Sequence, residues 1–330
     1  MRIAVFGAGA VGGLMAARLS LAGHDVAVFA RGAHAEAMAR NGLILKDPRG
    51  EHRAKVRVAA TAADAGPVDA IIVTTKGHHH RAAARAIAPL LTGRQPVVFA
   101  VNGLPWWYGA NVALPGVDPA CDPGLQALDP DGEIRRLIGI SRTIGAVIHS
   151  PNTIDAPGVI SNRTDQNKLL LGAIDPAGQA SVAPLAAALA EAGIDPGAGE
   201  PIRLQIWRKL IYTMCMGPIA CLTGLRNGQI RTAPELVAIL DKLSVEGVAV
   251  AHAHGFPVPS KIEIPATGPI AAHKQSMAQD LERGNPVEYW PIIGLPRAYA
   301  HAAGIACPTM DTVASLLKGR LESGGLFASG

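Results

Sequence analysis

Three glycines near the start of the chain have the spacing of a phosphate-binding loop. Gly7, Gly9 and Gly12 follow the order G-x-G-x-x-G directly after the apolar run RIAVF. The first glycine makes a tight turn, the second lets backbone approach a pyrophosphate, and the third allows a helix to pack closely on a strand. Backbone N–H groups at Ala10 and Val11, with the helix dipole, would then hold the anion. A dinucleotide site is predicted, with a purely structural glycine turn as the alternative.

A basic residue follows the second predicted strand, which reads DVAVF and continues ARG. An NAD site is expected to carry a carboxylate there, which accepts hydrogen bonds from the ribose 2′-hydroxyl. Arg31 would instead pair with a 2′-phosphate, so the predicted cofactor is NADPH. One charge-assisted hydrogen bond of roughly 1.5–3 kcal/mol favours NADPH over NADH by roughly ten- to a hundredfold. The alternative is a solvated arginine.

Two more polar residues stand where predicted strands end. Lys76 follows IIVTT, and Asn102 follows VVFAV. Open α/β sheets bind ligands outside the carboxyl ends of their strands. Gly9, Arg31, Lys76 and Asn102 are therefore expected on one rim, far apart in sequence but close in space.

Histidines and cysteines do not form a predicted metal site. Adjacent residues in GHHH (77–80) point in different directions at a helix start, and no cysteine or carboxylate is spaced to complete a ligand set. The four cysteines also lack metal-ligand spacing and are expected to be reduced thiols of a cytoplasmic protein. They are Cys121, Cys215, Cys221 and Cys307.

The elements that must position these residues change character along the chain. In the first half, short β-branched runs alternate with helical patterns, which is typical of βαβ units and a parallel sheet. A hairpin is predicted to turn at 47–50. After Ser141, the runs TIGAVIHS, GVISN and KLLLGAI are expected to extend or close the sheet, and 114–132 to form a surface loop.

From about Gly199 the chain shows long helical patterns broken by Pro and Gly. We expect an α/β protein with an N-terminal Rossmann-like doubly wound sheet (1–199) and a C-terminal all-helical domain (200–330). The helical patterns cover 203–217, 233–254, 267–283, 286–303 and 309–322.

Lys209 is the one lysine in the mostly apolar stretch IWRKLIYTMCMGP. On a helical wheel it lies off the apolar stripe, in line with Thr213 and Gly217. Either it is a solvated residue of the outer face, or the three residues form a face that looks into a cleft between the domains. The apolar stripe consists of Ile206, Trp207, Leu210, Ile211, Met214 and Pro218.

Composition excludes several classes of function. Hydrophobic residues make up 49% and charged residues 17%, as in ordinary globular proteins. The net charge of +4 is scattered, which argues against nucleic-acid binding and suits a small anionic ligand. An uncharged run at 95–117 is broken too often by Gly and Pro for a membrane helix.

Seven motifs together resemble the ketopantoate reductases (2-dehydropantoate 2-reductases) over nearly the whole chain. They are GAGAVGG, ARG, TTKG, VNG, WRKL, LTGLRNG and QSMAQDLERGNPVEYW. The resemblance implies NADPH-dependent reduction of a 2-oxo acid to a 2-hydroxy acid, by default ketopantoate to pantoate in pantothenate biosynthesis. Many such reductases form homodimers through the helical domain.

The resemblance also implies roles for single residues. Lys209 matches the family's catalytic lysine, which implies that it protonates the carbonyl oxygen of the substrate. Glu288 matches the family's active-site glutamate. The matched cofactor residues are Arg31, Lys76 and Asn102, and the matched substrate-side residues are Asn102, Asn227 and Ser276.

Four positions depart from the family pattern. Thr213 and Gly217 stand where asparagines are usual one and two turns after the lysine, and Trp290 and Pro291 stand where smaller or acidic residues are usual. Thr213 is the remaining polar, substrate-side candidate of the first two. Lost amides remove hydrogen bonds that a hydroxylated substrate would use. Two alternatives follow: a reductase of a less polar carbonyl compound, or an NADPH-binding regulatory protein without turnover.

Overall fold

The computed structural model describes residues 1–259 and 269–327, which form two compact units. The first unit combines 1–101 with 132–202, and the second combines 102–131 with 203–330. The strands are β1 (Arg2–Phe6), β2 (Asp25–Phe29), β3 (Leu43–Asp47), β4 (Gly50–Ala54), β5 (Arg57–Ala59), β6 (Ala70–Val73), β7 (Val97–Ala100), β8 (Thr143–His149), β9 (Asn152–Ala156), β10 (Val159–Asn162) and β11 (Lys168–Ala173).

The α-helices alternate with these strands in the first half and follow one another in the second. They are α1 (Ala10–Leu21), α2 (Gly32–Asn41), α3 (Ala62–Ala65), α4 (His80–Ile87), α5 (Pro123–Leu128), α6 (Glu133–Ile138), α7 (Gln179–Glu191), α8 (Ile202–Thr223), α9 (Asn227–Arg231), α10 (Pro234–Ala253), α11 (Pro269–Ala272), α12 (Ser276–Glu282), α13 (Leu295–Ala302) and α14 (Pro308–Ser323). In the described part of the chain, no helix has both the length and the apolar character needed to cross a membrane.

The main sheet of the first unit has the order β11-β8-β7-β6-β1-β2-β5. All neighbours pair in parallel except β11, which runs antiparallel to β8. The order reverses at β1 and β6, which is the switch point where doubly wound sheets bind ligands. The predicted fold class is confirmed.

A smaller sheet, of order β4-β3-β10-β9, lies on the other side of α1. The predicted hairpin is confirmed, because β3 and β4 pair antiparallel around 47–50. The expectation that GVISN extends the main sheet is wrong, because β10 pairs with β3 instead. Covered on both sides, α1 can be apolar around its circumference, and an added Cβ at Gly13 would approach Ile160 to 2.6 Å.

The segment 102–131 belongs to the second unit, although the sequence interpretation placed it in the first domain. Its tryptophans and tyrosine at 106–108 are fully buried. The Trp207 indole N–H donates to the Tyr108 hydroxyl at 2.7 Å, and the Arg203 guanidinium donates to the Tyr108 carbonyl at 2.9 Å. These contacts, distant in sequence, tie the segment to α8. It also contains α5 and so is not wholly irregular.

Candidate active site

The glycine loop between β1 and α1 is as tight as its sequence predicts. Gly7 has φ of +96°, a conformation that side chains disfavour. Its carbonyl accepts a 2.6 Å hydrogen bond from the Thr74 hydroxyl. A Cβ at Gly12 would lie 2.1 Å from the same carbonyl oxygen. Protein neighbours therefore require both glycines.

Gly9 differs, because the protein itself does not require a glycine there. Its φ of −67° suits any residue, and an added Cβ would have no neighbour within 4 Å. Gly9 caps α1, whose first-turn N–H groups have no acceptor within the helix. Open space at this helix N-terminus fits a pyrophosphate that needs close backbone contact. Gly7, Gly9, Ala10, Val11 and Gly12 would thus hold this part of NADPH.

His34 supports the same loop, and sequence reasoning missed it. Its Nε2 donates to the Ala8 carbonyl at 2.7 Å, while its Nδ1 accepts the Gly158 N–H at 2.9 Å. These two bonds together require the neutral Nε2–H tautomer. No motif distinguishes His34, since the partners lie in the glycine loop and beside β10. It links the loop to the smaller sheet.

Cationic side chains follow the two strands that flank β1. Arg31 comes after β2 and is exposed, and Lys76 comes after β6 and is half-buried. Because these strands run parallel to β1, their carboxyl ends lie at the edge that carries the glycine loop. Positive charge there suits a 2′-phosphate, as the sequence predicts. The individual cofactor contacts of Arg31 and Lys76 stay predictions.

Lys209 is half-buried on α8, and the second unit holds it in a defined place. Its Nζ donates to the Asn102 side-chain oxygen at 2.7 Å. Burial lowers the pKa of Lys209 to about 8, while the negative charge of Glu288 acts in the opposite direction. The interpretation of Lys209 as a solvated surface lysine does not fit this setting. A lysine with a pKa near physiological pH is suited to giving up a proton.

Asn102 reaches Lys209 because the backbone after it passes very close to another segment. Gly103 has φ of +76°, and an added Cβ would lie 2.3 Å from the Pro291 carbonyl oxygen. That carbonyl accepts the Leu104 N–H at 2.8 Å. Since Pro291 lies in a short π-helix (Trp290–Gly294) just after Glu288, this contact fixes Asn102 relative to the glutamate's segment.

The two departures on α8 have structural explanations. The Thr213 hydroxyl donates to the Lys209 carbonyl at 3.2 Å, so part of its hydrogen bonding stays within the helix. Gly217 is buried, and an added Cβ would lie 2.6 Å from the Met277 sulfur. Met277 therefore fills the space that a side chain at position 217 would need.

The two other substrate-side candidates lie in different settings. Asn227 is fully buried; its amide donates to the Tyr212 hydroxyl at 3.0 Å and its oxygen accepts from Gln275 at 2.9 Å. Ser276, the first residue of α12, is exposed. Asn227 thus supports the residue that precedes Ser276, and Ser276 is the accessible one. Their contacts with substrate stay predictions.

Trp290 packs against two aromatic side chains that lie near it. Its ring centroid lies 5.5 Å from that of Tyr289 and 6.4 Å from that of Phe327. Gly294 leaves room for it, because an added Cβ there would approach the indole to 2.7 Å. The bulky ring at this position is therefore accommodated by aromatic and glycine neighbours.

Within residues 1–259 and 269–327, the side chains of His301, Cys307 and Asp311 lie close enough together to bind a metal ion. The GHHH segment, for which no metal site was predicted, is not part of this group. Asp311 already accepts hydrogen bonds from Arg297 at 2.5 Å and from His301 at 2.8 Å. Cys307 is buried, and burial raises its pKa to about 11. These contacts describe an ion-pair cluster between α13 and α14. Cys121 is exposed, and Cys215 and Cys221 are buried, all as free thiols.

Family models and a curated relative both match this chain to the ketopantoate reductases. The family model Ketopantoate reductase PanE/ApbA matches residues 3–106, and its C-terminal counterpart matches 201–321. A 2-dehydropantoate 2-reductase of Mesorhizobium japonicum is 36% identical, covering 96% of this chain and 97% of the relative.

Solved structures agree with this result. A candidate ketopantoate reductase from Ralstonia solanacearum has a TM-score of 0.85 at 32% identity, with 99% of both chains covered. A D-mandelate dehydrogenase with NADH and anilino(oxo)acetate has a TM-score of 0.81 at 18% identity, covering 99% of this chain and 100% of the other. At that identity, the second likeness shows the fold alone.

Proposed function

The chain belongs to the ketopantoate reductase family, and we propose that it reduces ketopantoate to pantoate with NADPH, using Lys209 as the proton donor. Enzymes of this family are oxidoreductases that act on a CH–OH group and use NADPH. The observation that carries the assignment of the proton donor is the Lys209–Asn102 hydrogen bond of 2.7 Å at a lysine whose pKa is lowered to about 8.

The reaction needs a hydride at the keto carbon and a proton at its oxygen. When bound, NADPH supplies the hydride. The Lys209 ammonium donates a hydrogen bond to the carbonyl oxygen and passes its proton there as the C=O bond becomes C–O–H. The neutral amine then takes a proton from solvent. General acid catalysis of this kind contributes about 10²–10⁴-fold.

Asn102 and Glu288 prepare the lysine for this step. The Asn102 oxygen holds the Lys209 Nζ in place. Less conformational entropy of the lysine side chain is therefore lost in reaching the transition state. Glu288 raises the pKa that burial lowers, so more of the lysine is protonated at neutral pH. Glu288 and Ser276 also supply polar groups for the substrate hydroxyl and carboxylate.

A second candidate substrate class follows from the Gly217–Met277 contact. Met277 fills the space beside Gly217, and the Thr213 hydroxyl is engaged with the Lys209 carbonyl. This part of α8 thus has no side-chain amide to bind a substrate hydroxyl. The same chemistry on a less polar 2-oxo acid is favoured by this observation.

Steady-state oxidation of NADPH tests both candidates. Ketopantoate should be compared with 3,3-dimethyl-2-oxobutanoate, which lacks only its hydroxyl, and with other 2-oxo acids. A strong preference for ketopantoate supports a site built to bond the hydroxyl, since such sites reject the analogue by large factors. A preference for the analogue supports the second class. If NADPH is bound tightly but is not oxidised with any of the substrates, a regulatory protein is favoured and the proposal is contradicted.

Two further properties belong to the proposal. A homodimer formed through the helical unit and a cytoplasmic location suit a biosynthetic reductase of this family. Sedimentation equilibrium of the purified protein checks the first, and fractionation of the source cells checks the second.

A further inference from the structure

His79 is a histidine that the proposed reaction does not use, although it lies next to the candidate cofactor residues. It ends the short 3₁₀ turn Gly77–His79 after β6 and is exposed. Its backbone N–H donates to the Lys76 carbonyl at 2.9 Å, which fixes the turn. The turn follows the strand next to β1, whereas Arg31 follows the strand on the other side of β1.

The charges that act on His79 are cationic. Partial burial lowers its pKa first, and the positive charges of Arg31 and Lys76 lower it further. The positive charges of Arg31 and Lys76 thus disfavour a protonated imidazole at His79. At neutral pH the free protein holds His79 mainly uncharged, next to two fixed positive charges.

Other titratable groups lie on the same turn and on the helix α4 that follows it. The ring of His78 lies 4.3 Å from that of His79, and burial lowers the pKa of His78 to about 4. His80 begins α4, is buried and bonds to the Thr75 carbonyl at 3.2 Å. On α4, Arg81 and Arg85 pair with Glu133 of α6 at 3.7 and 2.7 Å.

We propose that His79 is a pH-dependent third cation of the 2′-phosphate site, so that the preference for NADPH over NADH increases as the pH falls from 8.5 to 6.5. This inference rests on the proposed use of NADPH. A phosphate dianion placed among Arg31, Lys76 and His79 cancels the repulsion that keeps His79 neutral and favours its protonation. Binding of NADPH then takes up a proton, whereas binding of NADH does not.

The test measures dissociation constants of NADPH and NADH at pH 6.5 and 8.5 by fluorescence titration. For the unaltered protein, the ratio of the two constants should shift toward NADPH by about tenfold at the lower pH, the effect of one charge-assisted hydrogen bond. In His79→Asn this shift toward NADPH should disappear or reverse. The control His78→Asn, at the neighbouring ring, should keep it. Since the 2′-phosphate itself gains a proton near pH 6, that contribution is common to all variants and has the opposite sign.

Calorimetry gives a second readout. Titrations of NADPH in buffers of different ionisation enthalpy should show proton uptake near pH 7.5 in the unaltered protein and none in His79→Asn. An unchanged NADH affinity and melting temperature would show that this variant is folded.

The outcomes separate the inference from the proposed function. If His79→Asn retains the pH-dependent preference and the proton uptake, His79 does not contact the phosphate and the inference is wrong. The same holds if Arg31→Ala abolishes the preference at both pH values while His79→Asn leaves it intact. If the unaltered protein binds NADPH at neither pH, the proposed use of NADPH itself fails.

Discussion

The Lys209 ammonium donates to the Asn102 side-chain oxygen at 2.7 Å, across 107 positions of sequence. The bond joins the middle of a long helix to the loop that follows a strand, and Gly103 permits it by packing against the Pro291 carbonyl. This relationship holds the proposed proton donor in one orientation.

Removal of the lysine should stop the chemistry while leaving cofactor binding intact. We expect Lys209→Ala to lower kcat by about 10²–10⁴-fold because the general acid is lost. The NADPH dissociation constant should change little. Lys242→Ala, at an exposed lysine on α10, is the matched control and should retain full activity. Full activity in Lys209→Ala would refute the assignment.

The pH dependence of reduction should follow the protonation of Lys209. Because burial lowers its pKa to about 8, kcat/KM should fall above about that pH as the donor loses its proton. Glu288→Gln removes the charge that raises this pKa, so the basic limb should move to lower pH. Asn102→Asp adds a negative charge beside Nζ, so the limb should move to higher pH. Shifts in the opposite directions would contradict the proposed roles.

Two glycines of the loop should respond differently to alanine. Gly12→Ala should destabilise the protein by about 1–3 kcal/mol or more, because its Cβ would collide with a backbone carbonyl. Gly9→Ala should leave the melting temperature unchanged, since the protein has open space there. It should nevertheless weaken NADPH and NADH alike, by roughly tenfold or more, by blocking the pyrophosphate. Unchanged binding in Gly9→Ala would show that the cofactor does not approach this residue.

Position 217 should not accept the family's usual asparagine without a change at Met277. We expect Gly217→Asn to lower stability by about 1–3 kcal/mol through overpacking, measured by urea denaturation. Adding Met277→Ala should recover part of the loss. The double variant should also favour ketopantoate over its analogue without the hydroxyl more than the unaltered protein does. Equal stability of the single variant would mean that Met277 moves easily.

The sequence predicts local features well and long-range contacts poorly. The glycine loop, the hairpin at 47–50 and the long helix α8 follow from residue type and spacing over short distances. The grouping of 102–131 with the helical unit depends on where Trp207 and Arg203 meet Tyr108, which no periodicity encodes. His34 was missed for the same reason, because its value lies in partners that are distant in sequence.

In the candidate site, too, local features can be predicted from the sequence and long-range contacts cannot. Helical geometry leaves Lys209 between two interpretations, and the resemblance of the family motifs predicts that it is the proton donor. The filling of the space beside Gly217 by Met277 depends on how α12 packs against α8, so the residue types at 213 and 217 showed only that something differed.

The burial of α1 between two sheets has a consequence for how this protein can evolve. Because α1 packs against both sheets, its N-terminus, where the pyrophosphate would bind, is held from two sides. Selection of one cofactor over another then falls to the turns after β2 and β6, where Arg31 and His79 are exposed and Lys76 is half-buried. Changes in cofactor preference within this scaffold should therefore arise through surface substitutions at those two turns, at little cost in stability.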